Sequence, residues 1–196
     1  MGDMKSALEI ALEKVKKIGE PTEEERLKWK YVPEGELLAV KYLKKDCNLV
    51  AEMSHYQENE KKYIIEGAAD ILIRDINLPK NDVTKRNNRK VMDGLKVLKS
   101  DKVSLENVYS RIRQIFNHYA EQGERQRQEA YQSLKAEFEA RLRQAVQQQL
   151  GLLVGAKIDV EKQPQFQQEW RKLQTQLDAQ YLSLLGEYKR ELISLA

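Results

Sequence analysis

The chain has 196 residues, 33% of them charged, with 34 Lys and Arg against 31 Asp and Glu for a net charge of +3. That length suits one fair-sized domain or two small ones, and so small a net charge does not by itself mark a polyanion binder. A lone cysteine, Cys47, excludes an intramolecular disulfide framework and a cysteine-built zinc finger.

Four prolines and nine glycines are few for this length, which suits long helices. Charges interrupt the apolar run of the opening MGDMKSALEIALEKVKKIG, unlike a signal peptide, and no eighteen-residue apolar stretch follows. The reading is a cytoplasmic protein in a reducing compartment.

Leu8, Ala11, Leu12, Val15 and Ile18 recur at helical spacing and predict an amphipathic first helix. Gly19-Glu20-Pro21 punctuates its end. Thr22 and Glu25 form a capping-box pattern for a short helix toward Tyr31. Pro33 then reads as the opening of a helix over 34–56, with Leu37, Leu38, Val40, Leu43, Leu49, Val50 and Met53 inward. A further helix carries Ile64, Ile65, Ala68, Leu72, Ile73 and Ile76, and another covers 83–98. These apolar segments predict an N-terminal helical bundle over 1–103.

Ser104 reads as the N-cap of a very long helix. Leu105, Val108, Ile112, Ile115, Phe116 and Tyr119 give it a broad apolar stripe. The stripe vanishes from Gln122 to Gln128, then resumes at Tyr131, Leu134, Phe138, Leu142 and Ala145. Gly123 inside the gap marks either a hinge or an exposed stretch of continuous helix; continuity is favoured, because one glycine costs only ~1 kcal/mol. From Pro164, a stripe of Phe166, Trp170, Leu173, Leu177, Tyr181, Leu184, Tyr188, Leu192 and Leu195 answers it. Two narrow stripes predict a long antiparallel hairpin over 104–196, a nearly straight coiled-coil-like arm packed on the bundle at its base. The fold class is all-α.

Few residues offer chemistry. Glu52-Met53-Ser54-His55 is an E-x-x-H that a helix would place on one face, and Glu52 with His55 is the candidate for a metal-binding helical bundle. The second half of a di-metal set is missing, and a surface pair beside the core is the commoner outcome. Cys47 sits among lysines, yet nothing supplies a base or a glycine-rich loop. No cofactor and no enzymatic activity are expected.

The most charge-biased stretch, 80–102, holds eight Lys and Arg against three Asp. Lys85, Arg86, Arg89 and Lys90, at the start of a helix and interleaved with Asn87 and Asn88, are candidates for contacts to nucleic-acid phosphates. The stretch lacks aromatics for stacking and helix-turn-helix spacing, so a solvated face competes with that reading. Leu152, Leu153, Val154 and Ile158, at the tip of the arm, are too apolar for an idle loop and are candidates for partner binding. The first helix is a second candidate, for a partner's groove or a membrane surface.

The opening MKSALEIALEKVKKIG resembles the start of certain small bacterial proteins of a domain-of-unknown-function family. That resemblance implies a bacterial cytosolic helical protein and no activity. The reading as a whole is a non-enzymatic interaction protein, scaffold or assembly factor that uses its arm as a homodimer. A nucleic-acid-associated protein and a metal-binding bundle are the alternatives.

Overall fold

The computed structural model describes residues 21–45, 47–150 and 159–195. These form an all-α protein, with no strand among the described residues. The helices are α1 (Glu23–Lys44), the short α2 (Leu49–Met53), α3 (Glu58–Arg74), α4 (Asp82–Leu98), α5 (Lys102–His118), α6 (Glu124–Leu150) and α7 (Pro164–Ser194). A π-helical turn, Tyr119–Gly123, joins α5 to α6, and a 3-10 turn, Val160–Lys162, precedes α7. The first amphipathic segment (Leu8 to Ile18) and the apolar tip (Leu152, Leu153, Val154, Ile158) lie outside the described residues.

α1 starts at the capping box read from the sequence. The Glu25 N–H donates to Thr22 Oγ1 (3.2 Å), and the Thr22 N–H donates to Glu25 Oε2 (2.8 Å). The break expected at Pro33 does not occur; the helix runs through it. The missing N–H leaves the Trp29 carbonyl without its helical donor, but Trp29 is exposed and water can take that place. The break falls later. α1 ends at Lys44, and Asn48 caps α2 by accepting from the Val50 and Ala51 N–H groups.

This division re-aims the apolar residues. Tyr31, Gly35, Leu38 and Ala39 face inward on α1, so Leu37 and Val50, both expected inside, are 69% and 61% exposed. The cause is the crossing of α1 with α3. A Cβ at Gly35 would stand 2.2 Å from the Ile64 carbonyl oxygen, and one at Gly67 would stand 2.1 Å from that of Val32. The two backbones therefore meet face to face at their glycines, and that contact fixes which side of α1 turns inward.

One core unites Ala68, Leu72 and Ile73 of α3, Val91 and Leu95 of α4, Leu105, Tyr109 and Ile112 of α5, and Leu185 and Leu192 of α7; Ile64 joins Tyr31, Leu38, Leu49 and Tyr63 in a second cluster at the crossing of α1 and α3. The first core draws on residues to both sides of position 103. Asp101, not Ser104, caps α5: the Ser104 N–H donates to Asp101 Oδ1 (3.0 Å).

α6 has 27 residues and spans roughly 40 Å at ~1.5 Å per residue. The contacts of α5 and α6 with α7 run in opposite order along the chain. His118 meets Tyr181, Tyr131 meets Trp170, and Phe138 meets Phe166. Phe138, Val160 and Phe166 form a small separate core along this pair.

Candidate functional site

Three surfaces gather around the place where the bundle meets the α6–α7 pair. The first explains the gap in the long stripe. Helical dihedrals persist from His118 through Glu124, so the helix is continuous across Gly123. Residues 115, 119, 123, 127 and 131 step by four, and an α-helix drifts about 40° at each such step. The wider π turn takes up part of that drift. It keeps Tyr119, Gly123 and Arg127 facing α7, so the gap is a continuous and mostly exposed stretch of helix whose inner side, at Gly123 and Arg127, forms a polar seam. Gly123 is buried there, since a Cβ would come within 3.2 Å of both the Tyr181 hydroxyl and Arg127 Nη1.

Opposite Arg127 lies Asp178, 4% exposed. Its Oδ2 is 2.6 Å from Lys80 Nζ, and its Oδ1, 3.9 Å from Arg127 Nη1, is buried with no hydrogen-bond partner. Arg127 also stacks on the Tyr119 ring at 4.1 Å and donates to Glu124 Oε2 (2.8 Å). Burial pushes the Tyr119 phenol up to about 12, against a smaller downward pull from Arg127. Asp178 thus ties a residue of the loop before α4 to one of α6.

The second surface is a groove of about 600 Å³ between α5 and α7. Ile115, Leu177, Tyr181 and Leu184 line it, with His118 and the glutamines 114, 126, 176 and 180. His118 Nδ1 is hydrogen-bonded to the Tyr181 hydroxyl (2.9 Å). No Asp, Glu, Lys or Arg lines this groove, although a third of the chain is charged.

The third is a cationic cleft of about 360 Å³ between α4 and α5. It takes two of the four residues proposed for phosphate contacts, Lys85 and Arg89, and adds Lys96 and Arg113. Lys90 is turned elsewhere, over the Tyr42 ring at 5.3 Å and toward the Leu43 carbonyl. Arg86 is exposed and does not line the cleft. The four candidates therefore do not form one surface, because successive residues of a helix point about 100° apart. Lys96 and Arg113 both bind Glu106, and those two bonds hold its carboxyl below the usual carboxylate range, Arg113 contributing most. Sequence reasoning missed both, since Arg113 belongs to the next helix and only the packing brings it over α4.

The E-x-x-H pair does not assemble. α2 ends at Met53, before His55, and Glu52 pairs with Lys41 of α1. Among the described residues no three His, Cys, Asp or Glu side chains come together as a metal site. Cys47 is half-buried beside the Tyr31–Leu38 cluster. No helix among the described residues is long and apolar enough to cross a membrane.

These features define an all-α protein in which a long helical pair is fastened to a bundle by a buried polar seam. A family model, Family of unknown function (DUF6657), matches residues 50–194. The chain belongs to that family. The match covers the chain from α2 to the end of α7 and not the opening stretch on which the resemblance rested. No curated protein and no solved structure matches the chain.

Proposed function

We propose that this is a non-enzymatic interaction protein, a cytoplasmic scaffold or assembly factor that works as a homodimer. The observation that carries this reading is the charge-free groove between α5 and α7. Loss of charge at the centre of a surface patch is the compositional mark of protein interfaces, and an apolar groove between two helices accepts a third. The narrow core of the α6–α7 pair supports the same reading. Only Phe138 of α6 is deeply buried among its described side chains, and Leu182 and Leu184 of α7 are 50% and 44% exposed, so a second copy would cover apolar surface that one chain leaves open.

The test is mass by light scattering on a size-exclusion column, across a dilution series. The protein, 22.9 kDa as one chain, should run at twice that mass. Leu184→Lys places a charge on a residue that is 44% exposed and should return the chain to monomer without unfolding it. A parent that is monomeric at every concentration overturns the proposal.

A further inference from the structure

We propose that the cleft between α4 and α5 is a binding site for a small phosphate ester of about mononucleotide size. Its phosphate would meet Arg89, Lys85 and Arg113, and its apolar or aromatic part would lie on Met92 and Phe116.

The charge distribution points to an anion. Four cations line the cleft against one carboxylate, Asp93. Lys96 and Arg113 share the single carboxylate of Glu106. Lys85 is paired with Asp82, itself exposed (3.1 Å). Arg89 has no ion-pair partner among the described residues. Its planar fork of donors matches a phosphate, and a cation with no internal carboxylate breaks no ion pair when a ligand arrives.

The floor points to an ester rather than to the bare ion. Met92 is almost wholly buried, Phe116 is half-buried, and Pro79 closes the end. Cationic rim and apolar floor together fit a ligand that carries both characters. A concavity of about 360 Å³ falls in the size range of small-molecule sites.

The site is also held in place. Asn88, 3% exposed, accepts from the Asn77 N–H (2.9 Å) and donates to the Asn77 carbonyl (2.6 Å). This clamp fixes the loop leading to Pro79 against the turn of α4 that carries Arg89. Cations on a rigid element bind with less ordering cost than the same side chains on a loop.

The experiment is titration of the isotope-labelled protein with AMP, adenosine, inorganic phosphate and a short single-stranded oligonucleotide, followed by amide NMR shifts at low salt. AMP should bind with Kd below about 1 mM and shift amides of α4 and α5. Inorganic phosphate should bind at least about tenfold more weakly, and adenosine not measurably. Arg89→Ala, an exposed helical position, should fold normally and weaken AMP about tenfold or more. Arg86→Ala should leave it unchanged. Four results overturn the proposal: no shifts with AMP at about 5 mM; shifts that Arg89→Ala leaves intact; phosphate as tight as AMP; or oligonucleotide binding without AMP binding.

Discussion

Replacing Gly67 by alanine puts a methyl group 2.1 Å from the Val32 carbonyl oxygen, and replacing Gly35 puts one 2.2 Å from that of Ile64. Ordinary contact begins at 3.4 Å, so α1 and α3 have to part by more than about 1 Å in either variant. The obstacle is backbone in both cases and cannot swing aside. Overpacking of this kind costs ~1–3 kcal/mol, and parting the helices also loosens Tyr31, Leu38, Tyr63 and Ile64, which pack around the crossing. Alanine returns ~1 kcal/mol through helix propensity. Because the obstacle is backbone, the upper end of the overpacking range applies, and about 3 less about 1 leaves a loss of about 2 kcal/mol for either variant, or roughly 4–8 °C in Tm for a domain of this size. Gly186 is the internal control. It lies inside α7, and a Cβ there would have nothing within 4 Å, so Gly186→Ala should gain about 0.5–1 kcal/mol. Thermal and urea unfolding followed by circular dichroism compares the three. If Gly67→Ala melts at or above the parent while Gly186→Ala behaves as stated, the close approach of α1 and α3 is wrong.

Asp178→Ala should destabilise by about 1–2 kcal/mol: Lys80 can return to water and Arg127, 14% exposed, keeps Glu124, but it faces the emptied site without the second, buried carboxylate. An unchanged urea midpoint would contradict the seam. Asn88→Ala should cost about 2 kcal/mol in the same assay, because it strands the Asn77 N–H and carbonyl that Asn88 holds; a cost under ~0.5 kcal/mol would show that water replaces the clamp. Alkaline pH supplies a signed test. Burial raises the Tyr109 phenol, first by desolvation and then through Glu106, and raises Tyr119 as well. A folded-state pKa above the unfolded value of ~10 gives stability that is complete below pH ~10 and lost as pH climbs past it. Lys99 and Lys189, lowered by burial, act in the opposite sense, so the comparison is between the parent and Tyr109→Phe. The variant should lose less stability than the parent between about pH 10 and 11, and parallel profiles would refute the assignment.

Much of this architecture is legible in the sequence. The spacing of Ile64, Leu72 and Ile73, of Leu105, Ile112 and Ile115, and of Phe166, Tyr181 and Leu192 locates α3, α5 and α7, since apolar periodicity reports directly which segments can bury a face as helices. Thr22 with Glu25 and Pro164 mark two helix starts by local chemistry alone. The rotation of each helix is not legible. On α7 Phe166 and Leu192 of the stripe are buried, but between them the buried positions are Asp178 and Leu185, one residue past Leu177 and Leu184. One residue is about 100° of helix, and a stripe of mixed three and four spacing tolerates that error until a partner surface selects the inner side.

The sequence by itself determined the all-α class, the order of the helices and the long polar segment, because propensity, capping and periodicity act within a few residues of one another. Only the tertiary structure decided that Pro33 is absorbed into α1, that the inner side of the gap after Gln122 is a seam closed by Arg127 and Asp178, and that Arg113 joins Arg89 over one cleft. Each of those depends on groups far apart in the chain. Burial, charge pairing and the space left for a Cβ are properties of two surfaces in contact, and a single stretch of sequence carries only one of them.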